Sequence, residues 1–372
     1  MTRRGLRDPY MKALLRGAYR AGLGIHERLS AATSGGDGEP RLFYGGARAG
    51  DRGGPKVKIA KLASVFPEHW WTYNLVYVLS NAPYLPPSAL RRLKGRAVPI
   101  IGNQNGVFYA AWYGGDWEGK NRRMAEPYHL ADHVFHQSKF CRRAAEHFLG
   151  RREGAGEILY NAVDTQHFVP QPGEREGTDP FVFLVAGKVQ AHQGFRIEAP
   201  LQGLAAARKQ GLDAHLAVAG DIDAAVLDRS RKLADRLGVG AQFTHRGPYR
   251  QEDAPAVFCA AHAFVIANHN DACPTTVIEA LSSGLPVIYA TSGGVPELVG
   301  GDAGVELKTG ESWDEMLVPE PQDIGDAMVR VAENHTAMSA AARSRAVERF
   351  DIGPWLERHR QVFLSLLAGR HD

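Results

Sequence analysis

The stretch from His269 to Glu297, HNDACPTTVIEALSSGLPVIYATSGGVPE, gathers the residue types best suited to hold a polyanion and a sugar together. Pro274 fits the first turn of a helix, where its missing N–H costs nothing, and Gly284 followed by Pro286 is a natural stop. PTTVIEALSS is therefore expected to form a short helix between two strands. At about 100° per residue, Val277, Ile278 and Leu281 share the face that packs on a sheet, and Thr275, Thr276 and Glu279 share the opposite one. The start of such a helix offers unpaired N–H groups and partial positive charge, a ready site for phosphate. Glu279 lies one turn further on. It would repel phosphate but accepts two hydrogen bonds from a vicinal diol such as ribose. Asp271, in the loop before the helix, accepts hydroxyl protons from a sugar in the same way. The pair Gly293–Gly294, directly after LPVIYAT, brings a second loop to the same edge, where backbone amides without a Cβ can approach a ligand closely. Diphosphate, ribose and hexose together describe a nucleotide sugar. The same pattern also fits an ordinary α/β crossover with a solvated glutamate.

Such groups need a scaffold that brings distant loops to one edge. RLFYGG reads as a first strand, followed by the glycine loop GDRGGP. The segment VKIAKLASVF reads as a helix whose turns are marked by Val57, Ala60, Lys61 and Ser64. The strands NLVYVLS, AVPIIGN and HVFHQS follow, then the helix KFCRRAAEHFLG, and the domain closes at EILYNAVDTQHFVP. Strands alternating with helices predict parallel βαβ units. QPGEREGTDP, 171–180, is polar, rich in Gly and Pro and without periodicity, and reads as a linker. The alternation then restarts with FVFLVAG, a helix near Ile197–Gln210, AHLAVAGD, the helix-like AAVLDRSRKLADRLG, AQFTHRG, AHAFVIAN and LPVIYAT. These continuous apolar runs suit strands buried on both faces. The expected organisation is a basic leader over 1–40, a Rossmann-like acceptor domain over 41–170, the linker, a Rossmann-like nucleotide-sugar domain over 181–350, and a C-terminal helix over 351–372 packing back on the first domain. Two such domains leave a cleft, and open α/β sheets bind ligands at the carboxyl ends of their strands.

Composition bounds the rest. Hydrophobic content of 44% and charged content of 23% are those of a soluble globular protein, and a net charge of +3 carries no nucleic-acid footprint. Three cysteines without a CxxC pair suit a reducing compartment, and the expected location is cytoplasmic. Within residues 1–30, Arg3, Arg4, Arg7, Lys12, Arg16, Arg20 and Arg28 stand against Asp8 and Glu27, a local charge of +5. Leu14, Leu15, Ala18, Tyr19 and Leu23 recur there at helical spacing. A basic amphipathic helix of this kind lies peripherally on an anionic bilayer, and the alternative is a surface or disordered leader. The fifteen histidines form no HExxH and no Cys/His quartet, so no metal is expected. Neither GGDW at 114–117 nor AGD at 219–221 is a DxD metal clamp, and no P-loop occurs. The aromatic runs HWWTY and FYAAWYGGDW suit a core or sheet edge, or a platform for an acceptor sugar.

The order acidic–x7–Glu–Ala, Gly-x-Pro-Val, Gly-Gly-x-Pro-Glu resembles the retaining glycosyltransferases of family 4, the group 1 type, which have the two-domain GT-B fold. ADHVFHQSKFCRRAAEHFLG and LYNAVDTQHFVP match that family's passage into the interdomain linker, and FVFLVAGKVQAHQGFR stands where its second domain begins. The resemblance is specific from Ala131 to Glu297 and weaker before Val98. It implies transfer of a hexosyl unit from a nucleotide sugar, UDP-sugar favoured, to a hydroxyl acceptor with retained anomeric configuration, without metal. The departing diphosphate then helps deprotonate the attacking hydroxyl on the same face.

The resemblance assigns Glu279 to the donor ribose and Asp271 to the donor sugar's hydroxyls, where family members usually carry the longer Glu. Backbone amides around Cys273, Pro274, Thr275 and Thr276 should cradle the sugar and diphosphate, and Gly53 and Gly54 look like the family's glycine-rich loop. Gly187 joins the donor-binding set beside Lys188, which stands where the family commonly has an Arg. Gln193 stands where it has a Lys, and Arg196 is placed to supply that second cation against the charge developing on the leaving group. Asn105–Gly106 replaces a common His-Gly; an amide bonds a sugar hydroxyl but cannot act as a base. The same plan also serves nucleotide-sugar epimerases, sugar phosphorylases and non-catalytic nucleotide-sugar-binding subunits.

Overall fold

The computed structural model describes residues 9–30, 38–51, 53–81, 84–170 and 180–369. Arg3, Arg4, Arg7 and Asp8 of the leader, and the linker apart from Pro180, lie outside them.

The chain opens with α1 (Pro9–Leu29), then β1 (Leu42–Phe43), α2 (Gly54–Ala63), β2 (Leu75–Leu79), α3 (Pro87–Gly95), β3 (Ile100–Gln104), α4 (Trp117–Leu130), β4 (His133–His136), α5 (Lys139–Leu149) and β5 (Ala155–Ile158). The five strands form one parallel sheet in the order β1-β2-β3-β4-β5. All five residues of β2 are buried, because helices cover both faces of a parallel sheet.

The second unit runs β6 (Phe181–Ala186), α6 (Phe195–Lys209), β7 (Ala214–Ala219), α7 (Ala224–Arg236), β8 (Phe243–Gly247), α8 (Ala254–Cys259), β9 (Ala263–Ile266), α9 (Thr275–Ser282), β10 (Val287–Ala290), α10 (Val295–Val299), β11 (Gly304–Leu307), α11 (Pro321–Glu333) and α12 (His335–Arg349). Its parallel sheet has the order β11-β10-β9-β6-β7-β8. The chain winds outward from β6 to β8, then crosses back and winds the other way from β9. The switch point therefore lies between β6 and β9, whose carboxyl ends open a crevice.

The last helix, α13 (Ile352–Ala368), returns to the first unit. Its Trp355, Val362, Phe363 and Leu367 are buried in the core with Tyr44, Phe66 and Tyr77. His359 lies fully buried among them, with Nδ1 2.8 Å from the Trp355 carbonyl and Nε2 3.2 Å from the Tyr77 hydroxyl. A carbonyl can only accept, so Nδ1 carries the proton and Nε2 accepts from Tyr77. Burial drives the His359 pKa down to about 3.

The leader helix packs on the first domain with one face only. Leu23 is buried in the core, Tyr19 donates to the Gly46 carbonyl at 2.8 Å, and Glu27 is fully buried between Arg92 and Arg96 at 2.6 and 2.5 Å. The apolar set read from the sequence thus divides between two faces. Tyr19 and Leu23 turn inward, while Leu14, Leu15 and Ala18 turn to solvent.

The two units also interlock. Trp313, from the loop after β11, stacks on Phe140 and meets Tyr109 and Phe148 edge-on, and its carbonyl accepts from Ala111 N at 2.9 Å. Glu297 reaches across to accept from the first two amides of α5, Lys139 N and Phe140 N, each at 2.8 Å. A carboxylate there satisfies orphan donors and meets the positive end of the helix.

Candidate functional site

The carboxyl ends of both sheets meet at the interdomain cleft. On the first-domain side, four strands each contribute one amide side chain just past their last residue. These are Asn81 after β2, Asn105 after β3, Gln137 after β4 and Asn161 after β5, and all four line one cavity. The opposite wall is Cys273, Pro274 and Thr275 at the start of α9, and Gly54 and Pro55 at the start of α2 close the side. This cavity, of about 210 Å³, is one of three along the cleft, the others being about 200 and 180 Å³. Each is smaller than a typical ligand site of about 300 Å³ or more, so a sugar nucleotide would have to span more than one.

The amides are tied together. Gln137 Nε2 donates to Asn103 Oδ1 at 3.1 Å and also to Asn105 Oδ1, and Asn161 Nδ2 donates to Gln137 Oε1 at 3.2 Å and to the Cys273 carbonyl at 2.7 Å. Asn161 Oδ1 is buried without a partner among the described residues, an acceptor left open at the floor.

Two cations that sequence reasoning did not assign enter from α2. Lys58, only 7% exposed, lines this cavity and donates to Asn103 Oδ1 at 2.9 Å. Burial pulls its ammonium down to about 7. Lys61, which the sequence marked only as a helix turn, lines the same cavity and donates to the Ala162 carbonyl at 2.7 Å. Burial lowers its pKa as well, while Glu279 and Asp164 hold it up. The available signal was two lysines three residues apart, one helical turn, directly after Gly53–Gly54.

Glu279 sits on the cleft side of α9, as its helical phase requires. Val277, Ile278 and Leu281 are fully buried on the sheet side, whereas Glu279 accepts from Gln251 Nε2 at 2.8 Å. It is 4% exposed, and burial pushes its carboxyl up, opposed by the bond from Gln251 and by the Lys61 ammonium across the cleft. Gln251, beyond β8, was not legible as its partner. Thr276 lines the cavity at the β6–β9 switch point with Gly187, Lys188, Arg196 and Asp271.

Asp271 and Arg196 are brought together, both lining this cavity and the neighbouring one that holds Asn105 and Gln193. Asp271 Oδ2 accepts from Asn268 at 2.9 Å. Burial lowers the Arg196 pKa, Asp271 opposes this, and Arg196 Nε is buried with no partner among the described residues. Gln193 accepts from Gln190 N at 3.0 Å within its own turn. Lys188 stands at the rim, its side chain 64% exposed and 3.4 Å from Asp221. Gly187 has φ +131, and its carbonyl would lie 1.8 Å from a Cβ at Gly220, so two glycines let these strand ends close up. Gly53, with φ +86, starts α2 in the open. Its loop is held to the second domain by Asp51, 3.4 Å from Arg250.

The glycine pair plays a different part from the one expected. Gly294 N donates to the Asp271 carbonyl at 2.8 Å, and a Cβ at Gly294 would lie 2.0 Å from the Ala272 carbonyl oxygen. The close approach is between two protein loops, and it fixes the backbone that carries Asp271. Among the described residues, no cluster of three His, Cys, Asp or Glu side chains is placed to hold a metal ion.

Comparison with known proteins agrees with this geometry. Residues 180–334 match the family Glycosyl transferases group 1. The chain is 23% identical over 201 residues to the mannosylfructose-phosphate synthase of Agrobacterium fabrum, covering 53% of this chain and 42% of that protein. It is 30% identical over 154 residues to a D-inositol 3-phosphate glycosyltransferase of Mycobacterium sp. strain KMS, covering 38% and 33%. The match thus spans less than half the length of either relative. Among solved structures, Anabaena Alr3699/HepE in complex with UDP superposes with a TM-score of 0.68 at 16% identity, over 88% of this chain and 100% of that one. The sucrose-phosphate synthase of Thermosynechococcus elongatus gives 0.65 at 16% identity, over 84% and 77%. At such identities the superposition speaks for the fold, and the sequence match speaks for the second domain. That domain is of the group 1 glycosyltransferase family, and the chain as a whole has the two-domain GT-B fold that its motifs resembled.

Proposed function

We propose that this protein is a retaining glycosyltransferase that moves a hexosyl unit from a UDP-sugar to a hydroxyl acceptor. The observation that carries the reading is the convergence at the cleft. The amino end of α9, the amino end of α2 and the cations Lys58, Lys61 and Arg196 face one another across a gap lined by amides. Helix amino ends and fixed cations suit a diphosphate, and amides suit sugar hydroxyls. The structural relative HepE is described in complexes with UDP and with UDP-glucose, which supports a UDP-sugar donor here.

In this reading, backbone amides of Cys273, Thr275 and Thr276, with Pro274 opening the turn, hold the diphosphate against Gly53 and Gly54. Glu279 takes the ribose diol once Gln251 yields, and Asp271 takes donor-sugar hydroxyls. Arg196, with Lys188 at the rim beside Gly187, meets the charge that develops on the leaving diphosphate. The bond from the anomeric carbon to the phosphate oxygen breaks, and the acceptor oxygen bonds to the same face. The acceptor proton passes to the departing phosphate oxygen. Asn105, beside Gln137, orients a hydroxyl rather than removing a proton. The acceptor lies on the amide side, and the D-inositol 3-phosphate in the name of one curated relative is compatible with Lys58 and Lys61 there.

The test is a screen of UDP-, GDP-, ADP- and dTDP-sugars, reading released diphosphate and, by NMR, the anomeric configuration of the product. UDP-sugar turnover with retention is expected. Turnover with inversion would sink the mechanism, and consumption of donor with no acceptor and no released UDP would make the protein an epimerase.

A further inference from the structure

Asp271 follows a residue under strain. Asn270 sits at φ +50, and among the described residues outside glycine only Ala97 shares a positive φ with it. It is 5% exposed, and its Oδ1 is buried with no partner among those residues. A left-handed backbone and an unpaired buried acceptor both cost free energy, so the surroundings must impose them. Hydrogen bonds from several directions do so. Asn270 N donates to Ser292 Oγ at 3.0 Å, and its Nδ2 donates to the Ser312 carbonyl at 2.8 Å. The Asn270 carbonyl accepts from the Tyr109 hydroxyl at 3.2 Å, and the Asp271 carbonyl accepts from Gly294 N at 2.8 Å.

Two of these supports lead to the first domain. Tyr109 belongs to it outright. Ser312 belongs to the second, but the segment that carries it, 308–320 after β11, is fastened to the first on both sides of Ser312. Glu311 pairs with Arg143 of α5 at 3.0 Å. Trp313 lies among Phe140, Tyr109 and Phe148, with ring centroids at 5.3, 4.9 and 5.3 Å, and its carbonyl accepts from Ala111 N at 2.9 Å. His269 braces the same Ser312 carbonyl. Its Nε2 donates there at 2.8 Å, and its Nδ1 accepts from Leu317 N at 3.4 Å. One carbonyl therefore receives the side chains of both residues that precede Asp271. Parting the domains would withdraw Trp313 and Tyr109 together, and the turn would lose its hold on that side.

We propose that Asn270 is a positioning residue for Asp271, kept in its strained turn by the Trp313 strap and Tyr109 only while the domains are closed. The Asp271 carboxylate is then set for sugar hydroxyls in the closed form and released in the open one. Thr275, Thr276 and Glu279 have no such dependence, because α9 packs on the sheet of its own domain. Closure is thus coupled to the hold on the sugar, and by linkage each favours the other. The sugar role of Asp271 rests on the transferase reading. The coupling of strap to turn does not.

Hydrogen exchange on the full-length protein, without ligand, tests the coupling, and peptides containing Gly294 report the turn through its bond to the Asp271 carbonyl. They should exchange at least about tenfold faster in Trp313→Ala, while peptides from β7 and β9 keep their wild-type rates. Tyr109→Phe, which keeps the ring cluster and removes only the hydroxyl, should act in the same direction and decides the matter if Trp313→Ala fails to fold. Unchanged exchange at Gly294 in both variants overturns the proposal. Equal acceleration across the whole second domain does so too, since Trp313 would then be packing alone. Calorimetry with UDP and UDP-glucose tests the positioning role. Asn270→Ala should weaken UDP-glucose about tenfold and leave UDP within about twofold. Asn270→Gly, free to adopt φ +50, should recover part of that loss. Equal losses for the two ligands, or no recovery with glycine, overturn the role. A wild type that binds neither ligand sinks the transferase reading, and the exchange result alone then decides the coupling.

Discussion

Replacing Lys58 by Met removes one buried ammonium while keeping most of its volume, and the consequence can be worked from the structure. Lys58 is almost fully buried and donates to Asn103 Oδ1, which Gln137 also supplies with a donor. Burial lowers its pKa from the ordinary lysine value of 10.5 to about 7. Between those values the unfolded chain holds a proton at this residue that the folded chain does not, so stability rises with pH across that window. Below about pH 7 both states are protonated, and the folded state carries the whole cost of the buried charge. Linkage makes the gain about 3 kcal/mol from pH 7 to pH 10. Lys58→Met abolishes that part of the rise. Urea unfolding followed by tryptophan fluorescence, at several pH values from about 7 to about 10, gives the difference between the two proteins directly. Wild type should gain on the variant by about 3 kcal/mol across the series. A difference that stays flat refutes the buried, proton-shedding lysine.

The same residue links stability to function: a bound diphosphate raises the Lys58 pKa, so UDP binding at about pH 8 should take up protons in wild type and not in Lys58→Met, as calorimetry in buffers of different ionisation enthalpy would show. Glu279→Ala should leave the fold intact and weaken UDP binding by about tenfold or more; unchanged affinity in the folded variant would remove Glu279 from the ribose role. Gly294→Ala forces a Cβ to within 2.0 Å of the Ala272 carbonyl oxygen, so it should displace the Asp271 loop, and kcat should fall with UDP affinity less affected. His359, with its pKa drawn down to about 3, makes the protein lose stability as pH falls below the ordinary histidine value of 6.5. In His359→Phe about 3 kcal/mol of that acid sensitivity between pH 7 and pH 4 should disappear, read by chemical unfolding at each pH, although the variant starts lower because it loses the hydrogen bond to Tyr77.

Local chemistry carried much of this protein in the sequence. Continuous apolar runs between helical segments dictate parallel, doubly covered sheets, because only such strands bury both faces. Pro274, Gly284 and the phase of Val277, Ile278 and Leu281 set where α9 starts, where it stops and which side Glu279 takes, since these depend on residues within a few turns of one another. What required the folded chain was every relation between loops far apart. Asn81, Asn105, Gln137 and Asn161 are unremarkable polar residues along the chain, and only parallel strand order sets them in one row at one edge. Lys58 looks like any surface lysine until the second domain closes over it and removes its water. Gly293 and Gly294 promised a close approach without saying to what, and the partner proved to be the Asp271 loop. Leu14 and Leu23 share an apolar character that hydropathy cannot divide, and packing against the first domain buried one and left the other facing out. Dihedral preference and side-chain phase act over a few residues and can be read directly; burial, charge and proximity belong to the assembled fold.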